Sequence, residues 1–178
     1  MLFRSPISVN VSALQLKGEG LRQTLIDSLE KHQLSTKLIA IELTESSMLD
    51  EDGVAQSELR KLREMGIELE IDDFGTGYSS LSKLQSLDID VLKIDQSFVR
   101  RLGKDDQASK LCETMVSVGR SLSISVVAEG VETVDQLQLL QRMGCDQIQG
   151  YLVSPPIPAD EIPALFGKNF FEPLLVDA

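Results

Sequence analysis

Residues 70–80 have the sequence EIDDFGTGYSS, and the other predicted elements are organised around this stretch. Its apolar residues lead into two adjacent carboxylates, Asp72 and Asp73, and a Gly-x-Gly turn follows at once. This pattern predicts a buried strand that carries both acids to its end, followed by a loop. Neighbouring carboxylates at the mouth of a sheet repel each other unless a cation lies between them, so the stretch predicts a pair of divalent metal ions. The alternative is that Asp72 caps a helix and Asp73 faces solvent.

The length and composition are those of a globular domain. A chain of 178 residues is long enough for one domain with a substantial core. Lys and Arg total 17 against 28 Asp and Glu, and the net charge of -11 argues against DNA or RNA as a partner. The sequence has no apolar run near the roughly 20 residues of a membrane helix and no secretory signal at its start. We therefore expect no membrane segment and a cytoplasmic location.

Cysteine and histidine contribute little to the predicted chemistry. Cys112 and Cys145 are isolated from each other in sequence, so neither a disulfide framework nor a zinc ribbon is indicated. Both are expected to be small buried hydrophobic side chains. His32 is the only histidine and lies in a polar context, so catalysis by a histidine base is not expected.

Hydrophobic periodicity predicts six strands that alternate with helices. The strands are predicted at residues 7–11, 38–43, 67–73, 91–94, 124–128 and 147–152, and the helices near 18–31, 55–65, 79–86, 105–121 and 133–143. Gly66 and Gly144 are expected to end their helices, and Thr133 with Gln136 to form a capping box. Three apolar residues of the helix near 105–121 are expected to face the core: Leu111, Met115 and Val118.

Apolar strands that alternate with helices require a parallel sheet covered on its faces. A doubly wound sheet would fit the count. The positions of polar residues favour a (β/α)₈-type barrel instead, because they fall at or near the carboxyl ends of successive strands, where barrel enzymes build their active sites. These residues are Asn10, Glu42, Asp72 with Asp73, Lys93, Glu129 and Gln149. An uncompensated buried Glu or Lys costs several kcal/mol, so such residues must neutralise one another or bind a ligand.

Oxygen ligands without Cys or His indicate Mg²⁺, Mn²⁺ or Ca²⁺. Asn10, Glu42 and Asp72 could ligate one ion, with Asp72 bridging to a second ion that Asp73 helps to hold. Two ions about 3.5–4 Å apart polarise a phosphoryl group and lower the pKa of a water between them, which favours phosphodiester hydrolysis.

Two further rim residues fit this chemistry. Lys93 would orient the water or neutralise the phosphate, and Glu129 would be another ligand or a general base. An enolase-like barrel, with Lys93 as the base at a carbon acid, is an alternative. The Gly75-x-Gly77 turn and the segment QGY at residues 149–151 argue against that alternative.

Six segments carry a family resemblance. They are VNVS at 9–12, ELTES at 42–46, DDFGTGYSSL at 72–81, LKID at 92–95, AEGVE at 128–132 and QGY at 149–151. In order and spacing, from residue 7 to about residue 158, they resemble the EAL-domain family of cyclic di-GMP phosphodiesterases. The resemblance implies a modified (β/α)₈ barrel that uses two Mg²⁺ or Mn²⁺ ions to linearise cyclic di-GMP to pGpG.

The resemblance also implies residue roles. Metal ligands would be Asn10, Glu42, Asp72 and Asp73; Lys93 would lie near the catalytic water, Glu129 would be a catalytic or metal-binding glutamate, and Gln149 a nearby active-site glutamine. The loop from Asp73 to Leu81, with Phe74, Gly75, Thr76 and Gly77, would couple metal binding to dimerisation, and Glu45 and Glu132 would stabilise it.

One family feature is missing from the sequence, which contains no Glu-Ala-Leu tripeptide. The family places that glutamate, a further metal ligand, on a strand ahead of the one that carries Asn10, and here only six residues precede Ile7. A complete barrel has about 250 residues. Residues 1–178 are therefore interpreted as a single truncated EAL domain, an incomplete TIM-like barrel of about six βα units that lacks the first two strands.

Two consequences are expected from this truncation. A lost ligand would weaken metal binding and misplace the water, so a non-catalytic cyclic di-GMP-binding or protein-interaction module is the alternative function. The strands at 7–11 and 147–152 would be unpaired edges, which favours a homodimer or association through those edges.

Overall fold

The computed structural model describes residues 6–18, 20–48, 53–77, 84 and 87–165. Within these residues the strands are β1 (Ile7–Asn10), β2 (Ile39–Thr44), β3 (Glu68–Phe74), β4 (Val91–Ile94), β5 (Ser125–Glu129) and β6 (Gln147–Gln149). The α-helices are α1 (Ala13–Lys17), α2 (Leu21–His32), α3 (Val54–Glu64), α4 (Gln96–Val99), α5 (Asp106–Leu122) and α6 (Val134–Met143). Short 3₁₀ turns span Thr36–Leu38, Glu45–Met48 and Ile162–Leu165.

The six strands form one parallel sheet in the order β1-β2-β3-β4-β5-β6. A doubly wound sheet would reverse its strand order at a switch point. This sheet does not reverse, and it forms a half-barrel with helices in the connections, which confirms the predicted incomplete barrel.

Residues at helix ends explain why the helices begin and end where they do. The predicted capping box is present: the Thr133 side chain accepts from the amide of Gln136, and the Gln136 side chain accepts from the amide of Thr133. Gly144 ends α6 at a φ of +80°, and Gly66 follows α3 at the same φ, a conformation that glycine adopts without a steric penalty.

Two helix predictions need correction or fall outside the described residues. The helix predicted near 18–31 starts only at Leu21, and the shorter helix α1 precedes it, started by a second capping box between Ser12 and Gln15. The predicted helix near 79–86 lies, apart from Leu84, outside the described residues.

The core lies between the convex side of the sheet and helices such as α5. The prediction that Leu111 faces inward is wrong, because its side chain is 38% exposed. The buried residues of α5 are Ala108, Cys112, Met115, Val116 and Gly119. A Cβ on Gly119 would lie 2.2 Å from Val126 Cγ2, so small residues let this helix approach the strand closely.

The two cysteines differ in burial. Cys112 is fully buried as predicted, whereas Cys145 is only half-buried and donates weak hydrogen bonds to the carbonyl oxygens of Val126 and Gln147. Burial raises the pKa of both thiols. Neither cysteine therefore has the features of a reactive thiol.

β1 and β6 are the two edges of the described sheet. Ile7 on β1 is 70% exposed. β6 is shorter than predicted, because the chain turns at Gly150 after three paired residues. Among the described residues, no helix has the length and apolar character needed to cross a membrane.

Candidate metal and active site

Four ionisable side chains meet at the carboxyl ends of four neighbouring strands. Glu42 comes from β2, Asp72 from β3, Lys93 from β4 and Glu129 from β5. Strand alternation turns every second side chain to the same face, and the parallel order brings these strand ends to one rim. The structure thus brings together four residues that are far apart in sequence.

Lys93 is the centre of this group. Its Nζ lies 2.8 Å from Glu42 Oε1, 2.6 Å from Glu129 Oε1 and 3.9 Å from Asp72 Oδ1. The residue is only 5% exposed. Burial alone would lower the pKa of Lys93, but its hydrogen bonds to Glu129 and Glu42 outweigh that effect and raise the pKa above its ordinary value. Lys93 is therefore a fixed positive charge at neutral pH.

The three carboxylates fit a divalent cation. One oxygen from each of Glu42, Asp72 and Glu129 lies within 4.8 Å of the other two. Metal–oxygen distances are about 2.0–2.6 Å, so oxygens on opposite sides of one ion lie about 4–5 Å apart, and these three could share an ion. Three carboxylates against one ammonium group leave negative charge that a cation would neutralise.

The pKa values of two of these carboxyl groups reflect the unfavourable burial of their charged forms. Burial raises the pKa of Glu42 and of Glu129, and hydrogen bonding to Lys93 only partly offsets that effect. A positive ion between the groups would favour their charged forms. A divalent ion bound here would therefore offset the cost of burying these carboxylates in their charged form.

Asp73 lies beside this cluster and not inside it. A register shift in the pairing of β3 with β4 begins after Ile71, and Asp73 has a φ of +54°. Its amide donates to Asp72 Oδ1 at 2.8 Å. Burial, followed by the nearby carboxylates of Asp72 and Asp95, raises the pKa of Asp73. Its carboxylate therefore lies close to those of Asp95 and Asp72.

Asn10 ends the edge strand β1 and pairs in register with Glu42. It is exposed, so its carboxamide is the most accessible of the predicted ligands. Gln149 ends β6 in register with Glu129 and is also exposed. A pocket of about 220 Å³ between the β5 and β6 ends is lined by both Glu129 and Gln149.

The loop after β3 is held from two sides. Glu45 Oε2 accepts hydrogen bonds from the amides of Gly75 and Gly77, each at 3.1 Å. On the other side, a Cβ on Gly75 would lie 2.2 Å from Met115 Cε, and this glycine has a φ of +98°. A Cβ on Gly77 would lie 2.9 Å from Glu45 Oε1, so the lack of a side chain at both glycines lets the loop pack closely against its neighbours. Glu45 Oε1 is buried and has no hydrogen-bond partner among the described residues.

The remaining predicted loop residues have distinct surroundings. Phe74 is buried, and the Thr76 hydroxyl donates to the carbonyl oxygen of Asp73 at 2.8 Å. Glu132 approaches Arg100, with 4.0 Å between its Oε1 and the Arg100 Nε. Residues 78–81 of the predicted loop lie outside the described residues.

Sequence reasoning missed two acids next to the site. Glu70 is buried on the same face of β3 as Asp72, and burial raises its pKa. The two-residue alternation of the strand could have identified it. Asp95, which caps α4 through the amide of Ser97, was missed because its proximity to Asp73 depends on the turn between β4 and α4.

Comparison with known proteins identifies the family. The family model described as "EAL domain" matches residues 2–156. The "Oxygen sensor protein DosP" of Escherichia coli is 42% identical over 157 residues, an alignment that covers 88% of this chain and 20% of DosP. The chain thus spans about a fifth of the length of this curated relative.

Solved structures give the same result for the fold. The structure of "PaMucR Phosphodiesterase, c-di-GMP complex" has a TM-score of 0.84 and 39% identity, and the match covers 88% of this chain and 64% of that chain. The "Klebsiella pneumoniae BlrP1 pH 9.0 manganese/cy-diGMP complex" has a TM-score of 0.76 and 32% identity, covering 84% of this chain and 38% of that chain. Because the family model matches residues 2–156, which are most of this chain, the chain belongs to the EAL domain family.

Proposed function

We propose that this chain binds cyclic di-GMP and hydrolyses it to linear pGpG at the carboxylate cluster around Lys93, with Mg²⁺ or Mn²⁺ as cofactor. The observation that carries the proposal is the convergence of Glu42, Asp72 and Glu129 within 4.8 Å. Support comes from the solved relatives, whose descriptions include cyclic di-GMP in one case and both manganese and cyclic di-GMP in the other.

In this proposal, the carboxylate residues hold the divalent ions that promote phosphodiester hydrolysis. Glu42, Asp72 and Glu129 would hold the first ion together with Asn10, and Asp73 would help Asp72 to hold the second. Bound divalent ions neutralise phosphate charge and lower the pKa of a nucleophilic water.

Lys93 orients two of the acids. Its ammonium group donates hydrogen bonds to Glu42 and Glu129 and keeps their oxygens turned towards the rim. Its charge also attracts the anionic phosphodiester. In the reaction, a water oxygen bonds to phosphorus, the bond from phosphorus to the ribose 3′ oxygen breaks, and that oxygen takes up a proton. If Glu129 does not ligate the ion, it would instead be the base that accepts a proton of the water.

The loop after β3 would connect the site to the surface. Glu45 holds the Gly75 and Gly77 amides, which fixes the turn that follows Asp72 and Asp73. We propose that Phe74, Thr76 and Glu132 support the same region, and that Gln149 contacts the bound nucleotide. A homodimer, or association through the exposed edge strand β1, is part of the proposal, and sedimentation velocity at several protein concentrations tests it.

The test is turnover of cyclic di-GMP by the purified chain with MnCl₂, followed by chromatography of the nucleotides. We expect pGpG to form, and Glu42→Gln to lower the rate at least 100-fold, as removal of a group that acts directly on the transition state typically does. Glu30→Gln is the matched control, because Glu30 is exposed on α2. Equal rates for the two variants would contradict the assigned site.

A second function, cyclic di-GMP binding without hydrolysis, is favoured by one observation. The resemblance implies a further metal-binding glutamate in a Glu-Ala-Leu tripeptide, and residues 1–178 by themselves contain no such tripeptide. Calorimetric binding of cyclic di-GMP without pGpG formation would establish this function in place of the first.

A further inference from the structure

Gln136 is a buried amide whose contacts extend beyond its own helix. It is 7% exposed and lies in the first turn of α6. Its Oε1 accepts hydrogen bonds from the amides of Glu132 at 2.8 Å and Thr133 at 3.0 Å. Its Nε2 donates to the carbonyl oxygen of Val99 at 3.1 Å. One side chain thus connects the start of α6 with the end of α4.

The segment between β5 and α6, residues 130–133, follows Glu129 directly. At its start, Gly130 has a φ of +67°, and a Cβ there would lie 2.6 Å from Gln96 Cβ in the first turn of α4. At its end, Gln136 holds the Glu132 and Thr133 amides and reaches the last residue of α4. The segment therefore packs closely against the first residue of α4 and, through Gln136, is hydrogen-bonded to its last residue.

Helix α4 is also the element that follows Lys93. β4 ends at Ile94, and Asp95 caps α4 immediately afterwards. Lys93 and Glu129 meet at 2.6 Å between Nζ and Oε1. Glu129 directly precedes residues 130–133, and Lys93 lies three positions before the first residue of α4, so a shift of these two elements relative to each other would act on both partners of the pair.

Helix capping alone does not account for the contact with Val99. A capping box uses the oxygen of the residue at this position, which accepts backbone hydrogen bonds. The hydrogen bond from Nε2 to Val99 is additional to the cap, and it joins α6 to a carbonyl oxygen that also accepts the Leu102 amide at 3.1 Å.

We propose that Gln136 is a positioning residue that holds the β5–α6 segment on α4 and thereby sets the distance between Glu129 and Lys93. It acts through backbone groups and touches neither metal nor substrate. The effect on activity rests on the proposed function, whereas the effect on local structure does not.

Two variants separate positioning from capping. Gln136→Glu keeps an acceptor for the Glu132 and Thr133 amides but, when ionised, has no N–H for Val99. Thr133→Ala removes the other half of the capping box and leaves the Val99 contact in place. Gly130→Ala is an independent second variant, because its methyl group would push the segment away from Gln96 without changing the cap.

Metal affinity and amide exchange are the measurements. We expect Gln136→Glu and Gly130→Ala to weaken Mn²⁺ binding about tenfold, within the range seen for groups that orient metal ligands. Hydrogen–deuterium exchange should become faster at residues 96–100 and 129–133 in both variants. Thr133→Ala should lower the melting temperature and leave Mn²⁺ affinity and the exchange at 96–100 unchanged. In Gln136→Glu, the loss of Mn²⁺ affinity relative to the parent should become smaller as the pH falls, since the protonated carboxyl group of the new side chain can donate to Val99.

Unchanged Mn²⁺ affinity and exchange in Gln136→Glu and Gly130→Ala would overturn the inference. So would a loss of affinity in all three variants in proportion to their loss of stability, because capping would then explain it. If the parent chain neither binds Mn²⁺ nor hydrolyses cyclic di-GMP, the proposed function fails, and the exchange rates at 96–100 and 129–133 alone decide the inference.

Discussion

The two ends of the sheet use the same kinds of charged residue in opposite ways. At the carboxyl end, Lys93 pairs with Glu42 and Glu129, yet burial still raises the pKa of both acids. At the amino end, Arg63 binds Asp88 and Asp90, and Asp90 also accepts the Leu69 amide at 2.9 Å.

The amino end repeats this arrangement once more. Asp146, just before β6, accepts the amide of Val126 on β5 at 2.8 Å, as Asp90, just before β4, accepts the amide of Leu69 on β3. These acids are satisfied by backbone and guanidinium donors, so they stabilise strand pairing. The rim carries excess negative charge that a bound cation would neutralise, and the contrast agrees with the general division of barrels into a catalytic end and a stabilising end.

Lys93→Met should have the largest effect on stability. It leaves the buried Glu42 and the half-buried Glu129 without their cation, and breaking a buried pair in this way costs about 3–5 kcal/mol. Urea unfolding without metal measures this change in the free energy of unfolding. Lys61→Met is the control, because Lys61 forms an exposed pair with Glu58 and should change stability by less than about 1 kcal/mol. Similar losses in both variants would show that Lys93 does not hold the buried acids together.

Asp90→Ala should have the next largest effect, and only on stability. It removes one of the two partners of Arg63 and leaves the Leu69 amide without its acceptor, which costs about 1–3 kcal/mol. Turnover per folded molecule should stay at the parent value, because Asp90 lies at the opposite end of the strands. A loss of turnover without a loss of stability would contradict the proposal that the amino end of the strands contributes to stability alone.

Glu42→Gln should have the smallest effect on stability, and of opposite sign. The amide carries no charge to desolvate and Lys93 keeps its pair with Glu129, so we expect metal-free stability at pH 7 to rise slightly while Mn²⁺ binding is lost. The raised pKa of Glu42 means that the folded parent loses stability as the pH rises above the ordinary value of 4.5 towards the folded value.

The gain from Glu42→Gln should therefore vanish below pH 4.5, where Glu42 is protonated in both the folded and the unfolded chain. Thermal unfolding of parent and variant between pH 4 and pH 8 measures this difference. A variant that is less stable than the parent at pH 7 would show that the pairing of Glu42 with Lys93 outweighs its desolvation.

Sequence periodicity predicted most of the fold because strand alternation and helix-end residues act locally. All six strands lie within a few residues of their predicted positions, and the Thr133–Gln136 capping box is present. The errors arose where packing overrides local preference. Leu111 is exposed because α5 presents Cys112 and Gly119 to the sheet at close range, and α1 was missed because a five-residue helix gives little periodic signal.

For the site, residue order alone determined which side chains reach the rim. Parallel strands with alternating side chains leave few other places for Glu42, Asp72, Lys93 and Glu129. Only the tertiary structure decided their spacing. It places Lys93 between Glu42 and Glu129, turns Asp73 towards Asp95, and anchors residues 130–133 to α4 through Gln136. These distances depend on sheet curvature, strand register and rotamers, which contacts between distant segments of the chain determine.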